Sequence, residues 1–149
     1  MEQRLKRILL VEDSAHDAEL TLEALSENNL ANDVVHVADG EQALDYLFHR
    51  GVYAQRKKEN PAVILLDIKM PKVDGIEVLR QLKSHPEMKT IPVVMLTSSR
   101  EEKDLLEAYK LGVNAYVVKP VNFTDFTTAV SQVGLFWALI NETPPGNTF

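Results

Sequence analysis

The sequence predicts an α/β fold in which a five-stranded parallel sheet carries helices on both faces. Short runs rich in Val, Ile and Leu recur five times along the chain, and each is followed by a segment whose apolar residues are spaced as in a helix. The third run, residues 63–66, is apolar throughout, which is typical of a strand buried on both faces of a parallel sheet. Asp67 follows this run directly.

The boundaries of the elements follow from local signals. The five predicted strands are residues 8–11, 34–37, 63–66, 91–96 and 115–118. Ser14 followed by Asp17 resembles a capping box at the start of the first helix, and Ser99 followed by Glu102 repeats the pattern before the fourth. The second helix opens at residues 39–42, the third ends near residue 85, Gly112 closes the fourth, and Asn122 caps the fifth. Alternation of this kind requires right-handed crossovers between parallel strands.

The longest irregular connection, residues 49–60, holds three successive cations, Arg56, Lys57 and Lys58. The simpler interpretation is a solvated surface loop. The alternative is a basic docking loop for an acidic partner.

Composition excludes several classes of function. The chain has 149 residues, 45% of them hydrophobic, which suits one domain with a substantial core. The net charge of −6 argues against a general nucleic-acid-binding surface. No apolar run approaches the roughly 20 residues of a membrane helix. The absence of cysteine excludes disulfides and is compatible with a reducing compartment, so we expect a cytoplasmic protein without membrane or nucleic-acid partners.

Polar groups follow four of the five strands: Glu12-Asp13, Asp67, Thr97 and Lys119. Parallel strands point their carboxyl ends to one edge of the sheet, so these groups converge if their strands are neighbours. Three close carboxylates require a counter-charge, and Mg²⁺ prefers oxygen ligands. A lysine and a hydroxyl nearby would bind phosphate, which predicts an aspartate that accepts a phosphoryl group. Alone, Asp67 is equally consistent with a strand-end cap.

With these motifs, residues 7 to about 140 resemble the receiver domain of bacterial two-component response regulators. The motifs that carry the resemblance are Glu12-Asp13, Asp67 within Leu66–Pro71, Asp74-Gly75, Thr97-Ser98 and Lys119-Pro120. The resemblance implies a flavodoxin-like fold with strand order 2-1-3-4-5. It also implies one receiver domain over residues 1–149, with a core at 7–141 and a loose tail at 142–149.

The resemblance assigns roles to individual residues. It implies that Asp67 accepts phosphate from a sensor histidine kinase and that Glu12 and Asp13 hold Mg²⁺, together with Asp67 and the backbone carbonyl of Lys69. Lys119, Thr97 and Ser98 would bind the phosphoryl group, and Tyr116 would be the aromatic switch residue. Such a protein is a phosphoacceptor, not an enzyme, although it assists its own phosphotransfer and autodephosphorylation.

The last predicted helix is apolar all round over residues 134–140. This pattern requires burial on a second side, most simply against a twofold partner through Phe136, Trp137 and Ile140. Alternatively, the tail or the body of the domain covers it. Since nothing after Ile140 would fold alone, we expect a stand-alone receiver that signals to an unknown target through protein contacts. The Phe136-Trp137 pair, the loop before Pro61 and residues 89–92 also resemble receivers paired with phytochrome-type kinases.

Three competing interpretations are less consistent with the residues. A phosphatase of the haloacid-dehalogenase type needs a second Asp two positions after the nucleophile, and Lys69 stands there. A flavodoxin phosphate loop would be repelled by Glu12-Asp13. A degenerate receiver that acts only as an interaction module is the main alternative, but such domains usually lack the acceptor, the acidic pair or the lysine. The four histidines form no ligand pattern.

Overall fold

A computed structural model describes residues 7–27, 33–97, 102–119 and 124. In chain order the elements are β1 (Arg7–Val11), α1 (Ala15–Glu27), β2 (Asp33–Val37), α2 (Gly40–Leu47), a 3₁₀ turn (Gly51–Tyr53), β3 (Val63–Leu66), α3 (Gly75–Lys83), β4 (Val93–Thr97), α4 (Glu102–Lys110) and β5 (Ala115–Val118). Strands and helices alternate as the sequence predicts.

The five strands form one parallel sheet in the order β2-β1-β3-β4-β5, which confirms the predicted fold. The register aligns the carboxyl ends of the central strands, because Val11 pairs with both Leu66 and Val37. Beyond the last pair, the amide of Asp67 donates to the carbonyl of Val11 at 3.1 Å. The polar residues that follow β1 and β3 are therefore held side by side.

The sheet separates two apolar clusters because successive strand side chains point to opposite faces. Leu9 and Leu66 face the larger cluster, which α2, α3 and α4 cover. Ile8 and Leu65 face the smaller one, against α1. Burial on both faces explains why β1 and β3 carry uninterrupted aliphatic runs.

Several boundaries differ from the sequence-based prediction. The fourth strand spans Val93–Thr97 and not residues 91–96. The backbone hydrogen bond from Asn114 to the Val93 carbonyl, and the one from Val93 to the Asn114 side chain, fix its start beside β5. The predicted fifth helix, the 134–140 apolar segment and the tail lie outside the described residues. No helix in the described ranges combines the length and apolar composition needed to cross a membrane.

The 49–60 connection is more ordered than a simple solvated loop. The Arg56 Nε donates to the Tyr46 carbonyl at 2.7 Å, and its Nη1 donates to the carbonyls of Lys57 and Glu59. The guanidinium also lies 3.9 Å from the centre of the Tyr46 ring. Arg56 thus ties the loop to α2, and this contact engages one of the three cations on which the alternative interpretation, a basic docking loop, depends.

A buried leucine on α3 and an exposed leucine on α4 allow a matched test of the core. Leu82→Ala on α3 removes a fully buried side chain, and we expect it to lower the free energy of unfolding by about 2–5 kcal/mol. Leu106→Ala on α4, where the leucine is 61% exposed, should change stability by less than about 0.5 kcal/mol. Urea denaturation of both variants measures the difference. Equal losses would contradict the burial assigned to α3.

Candidate functional site

Asp67 follows β3 immediately and lies at the carboxyl edge of the sheet, where only 4% of its surface is exposed. A tight loop leads from there to α3. The Gly75 amide donates to the Ile68 carbonyl at 2.8 Å, and a Cβ at Gly75 would lie 2.1 Å from the carbonyl oxygen of Asp67. Glycine is therefore required for α3 to begin this close to the Asp67 backbone, and Asp74 caps the helix by accepting from the Glu77 amide.

Two more carboxylates come from the turn after β1. One carboxylate oxygen from each of Glu12, Asp13 and Asp67 lies within 4.8 Å of the other two, the one cluster of potential metal ligands in the described ranges. Glu12 is buried, whereas Asp13 is exposed at the rim. The Ser14 amide donates to Glu12 Oε2 at 3.2 Å, which helps to orient the buried carboxylate.

The Lys119 ammonium reaches this cluster from the end of β5. Its Nζ donates to Glu12 Oε1 at 2.8 Å and lies 3.5 Å from Asp67 Oδ2. Only 10% of the Lys119 side chain is exposed. Lys119 thus supplies a buried positive charge between two buried carboxylates.

The electrostatics of the site follow from burial and crowding. Burial, followed by the negative charge of Glu12, raises the pKa of Asp67 to about 7, against the opposing effect of Lys119. Burial alone would lower the pKa of Lys119, but hydrogen bonds to Asp17 and Glu12 and the charge of Asp67 outweigh it and raise the pKa. The acidic cluster therefore lacks sufficient positive charge of its own.

A hard divalent cation fits this donor set. The cluster offers carboxylate oxygens, which Mg²⁺ prefers, and a cation there would supply the missing positive charge. Asp13 lies at the solvent rim, so a cation bound beside it would retain water ligands that a phosphate oxygen could replace. Glu12, Asp13 and Asp67 are the residues that could hold it.

The remaining predicted site residues lie on β4 and β5. Thr97 ends β4 and pairs with Val118, which places its backbone at the same edge as Asp67; its side chain and Ser98 lie outside the described part of the chain. Tyr116 pairs with Met95, two residues before the Thr97–Val118 pair on each strand. It is half-buried and packs against the larger cluster.

Lys69 directs its side chain towards α4. Its Nζ lies 3.4 Å from Asp104 Oδ2, and the Asp104 side chain is 9% exposed. This ion pair joins the loop after Asp67 to α4. Asp104 was not predicted from the sequence, because nothing in the local pattern distinguishes it from the other charged residues of that helix.

Asp17 is a second residue of the site that was not predicted, because its sequence pattern indicated only a capping box. The Asp17 amide does make the expected capping contact, because it donates to Ser14 Oγ at 3.2 Å. Its carboxylate instead accepts from Lys119 Nζ at 2.8 Å. An acidic residue in the first turn of the helix after β1 lies near the edge that Glu12 and Asp13 occupy, and that spacing was the available signal.

Comparison with known proteins agrees with this arrangement. The family model described as "Response regulator receiver domain" matches residues 8–131. Response regulator Rcp1 of Synechocystis sp. is 40% identical over 132 residues, which cover 89% of this chain and 88% of Rcp1. A solved structure of Rcp1 in its Mn²⁺-bound form aligns with a TM-score of 0.75 at 40% identity, covering 95% of this chain and 99% of Rcp1.

Two further solved structures are similar over most of the chain. The bacteriophytochrome response regulator RtBRR is 58% identical with a TM-score of 0.84, covering 96% of this chain and 86% of RtBRR. The phosphorylated cyanobacterial phytochrome response regulator RcpA is 41% identical with a TM-score of 0.76, covering 96% of this chain and all of RcpA. The fold, the edge cluster and these matches together place the protein in two-component signalling. The chain belongs to the family of response regulator receiver domains.

Proposed function

We propose that this receiver accepts a phosphoryl group on Asp67 from a sensor histidine kinase, in a reaction that depends on Mg²⁺. The observation that carries the proposal is the Asp67 carboxylate, flanked by two carboxylates and by the Lys119 ammonium at the edge of the sheet. In the transfer, an Asp67 oxygen forms a bond to phosphorus. The bond from phosphorus to the kinase imidazole nitrogen breaks, and the imidazole leaves with the electron pair.

The neighbouring residues have distinct tasks in this scheme. Glu12, Asp13, Asp67 and the Lys69 carbonyl would hold Mg²⁺, which when bound supplies positive charge against the phosphoryl oxygens. Lys119, whose ammonium lies near the Asp67 carboxylate, would neutralise charge on the phosphoryl group. We assign Thr97 and Ser98 to hydrogen bonding with that group and Tyr116 to the conformational response.

We propose a phytochrome-type kinase as the phosphate donor. The similarity to RtBRR, a bacteriophytochrome response regulator, and to RcpA, a phytochrome response regulator whose solved structure is phosphorylated, supports this source. The Mn²⁺ bound to Rcp1 supports the use of a divalent cation. The acyl phosphate would be lost by hydrolysis at the same site, in the cytoplasm where kinase and receiver meet.

The output is proposed to be a protein contact. A single receiver domain with its core at residues 7–141 and a loose tail at 142–149 stays a prediction. So does a homodimer through Phe136, Trp137 and Ile140, since these three residues lie outside the described ranges. We propose that the downstream target is a further protein.

Acetyl phosphate with Mg²⁺ tests the phosphoacceptor directly. We expect the wild-type protein to gain one phosphoryl group that survives acid and is released by base, because an acyl phosphate hydrolyses readily in base. Asp67→Asn should abolish the adduct, which intact-protein mass spectrometry measures.

Asp45→Asn is the matched control, because Asp45 lies on α2 and pairs with Arg50 away from the site. It should be labelled like the wild type. A wild type without adduct would favour the degenerate interaction module, and labelled Asp67→Asn would place the acceptor elsewhere.

Removal of metal tests the acidic cluster. Mg²⁺ at about 100 times its dissociation constant should stabilise the wild type by about 2.7 kcal/mol, and a chelator should reverse the gain. Asp13→Asn should lose most of this stabilisation, whereas Glu19→Gln, an exposed change of equal charge on α1, should retain it. Thermal unfolding measures all three proteins; an undiminished response in Asp13→Asn would exclude Asp13 as a ligand.

The raised pKa of Asp67 predicts a pH dependence of stability in metal-free buffer. Between about pH 4 and pH 7 the unfolded Asp67 ionises while the folded one keeps its proton, so the wild type loses stability as the pH rises. Asp67→Asn does not titrate. Its stability relative to the wild type should therefore increase over this interval, by on the order of 4 kcal/mol at pH 8.

Urea denaturation at pH 4.5 and pH 8, with chelator present, measures this difference. A stability difference that is the same at both pH values would contradict the raised pKa. Asp45→Asn again serves as the control, because its effect should not follow the titration of Asp67.

A further inference from the structure

We infer that Asp17 is a positioning residue for phosphoryl transfer, because it holds the Lys119 ammonium away from direct contact with the Asp67 carboxylate. The inference rests on the proposed function of Asp67 and adds a residue to the machinery. It follows from three distances at one nitrogen atom, none of which the sequence motifs specify.

Two carboxylates, those of Glu12 and Asp17, anchor the Lys119 ammonium. An ammonium group has three N–H donors. One donates to Glu12 Oε1 and another to Asp17 Oδ2, both at 2.8 Å, the distance of a strong charge-assisted hydrogen bond. The two anchors come from different parts of the chain. Glu12 lies just after β1, and Asp17 lies in the first turn of α1.

The two anchors leave a gap between the Lys119 ammonium and the Asp67 carboxylate. Lys119 Nζ lies 3.5 Å from Asp67 Oδ2, longer than the roughly 2.7–2.9 Å of a direct N–H to carboxylate hydrogen bond. The third N–H donor of Lys119 therefore makes no hydrogen bond to Asp67. A phosphoryl oxygen arriving at Asp67 meets an ammonium group that already faces it and that need not leave either anchor.

Loss of the Asp17 anchor would change the position of the Lys119 ammonium. Without Asp17, Lys119 is held by Glu12 alone and is free to close on Asp67, the other buried carboxylate beside it. A direct ion pair would occupy the oxygen that must attack phosphorus. In the transfer from acetyl phosphate, an Asp67 oxygen bonds to phosphorus while the bond from phosphorus to the acetyl oxygen breaks and acetate leaves.

Asp17 has a suitable position for this task. Its side chain is 36% exposed, so its charge stays partly solvated, whereas the Glu12 side chain is 1% exposed. Its backbone is fixed by the hydrogen bond from its amide to Ser14 Oγ at 3.2 Å. A rigid backbone and a short side chain fix the direction from which the carboxylate reaches Lys119.

The test compares rates of adduct formation with acetyl phosphate at saturating Mg²⁺. Asp17→Ala removes the anchor and should slow labelling of Asp67 by about tenfold, since misplacement of a catalytic group costs at least this much. Asp17→Asn keeps an oxygen acceptor at the same place and should recover part of the rate. Glu19→Ala removes the same charge from an exposed position of α1 and should leave the rate unchanged.

A second measurement separates positioning from a structural role of Asp17 in α1. In a Lys119→Met background, Asp17→Ala should cause no further loss of rate, because the group that it positions is absent. The Lys119 Nζ resonance in NMR spectra of the unphosphorylated protein should shift in Asp17→Ala and not in Glu19→Ala.

The outcomes distinguish this inference from the proposed function. A wild-type protein that takes no phosphoryl group overturns both. A labelled wild type overturns the inference alone if Asp17→Ala reacts at the wild-type rate, if Glu19→Ala slows the reaction equally, or if the loss persists in the Lys119→Met background.

Discussion

The ammonium group of Lys119 links parts of the chain that are far apart in sequence. It contacts Glu12, 107 positions away, and Asp17, 102 positions away, and it lies near Asp67 in the middle of the chain. Burying the carboxylates of Glu12 and Asp67 without this charge would be costly, because an unpaired buried carboxylate either takes up a proton or destabilises the fold. The ion pairs therefore fix the end of β5 against β1 and β3, and any change at Asp67 alters the balance of charge that joins the three strands.

The site remains short of positive charge even with Lys119 in place. The pKa of Asp67 is raised to about 7, because burial and the charge of Glu12 together exceed the effect of the lysine. This shortage of positive charge is consistent with the proposed divalent cation, which would supply it. The same shortage makes the site responsive, since adding a metal or a phosphoryl group changes the charge at the junction of β1, β3 and β5.

Contacts to the loop after Asp67 extend this junction to the helices. Gly75 allows α3 to begin against the Asp67 carbonyl, and Lys69 pairs with the nearly buried Asp104 of α4. On α4, the exposed apolar side chains are Leu105, Leu106 and Tyr109. The Lys69–Asp104 ion pair thus connects the loop after Asp67 to a helix that displays apolar surface.

The sequence by itself determined the sheet, because uninterrupted aliphatic runs followed by helical spacing leave few arrangements other than a parallel sheet covered on both faces. It also determined that Glu12, Asp13, Asp67 and Lys119 would follow strands and so share one edge; the strand order came from the family resemblance. Only the tertiary structure decided which atoms meet there. That Lys119 binds Asp17 more closely than Asp67, that Lys69 turns to Asp104, and that Arg56 folds onto Tyr46 all depend on distances between elements. Local sequence patterns carry periodicity and capping, which act within a few residues, whereas the partner of a long flexible side chain is set by the packing of elements remote in the chain.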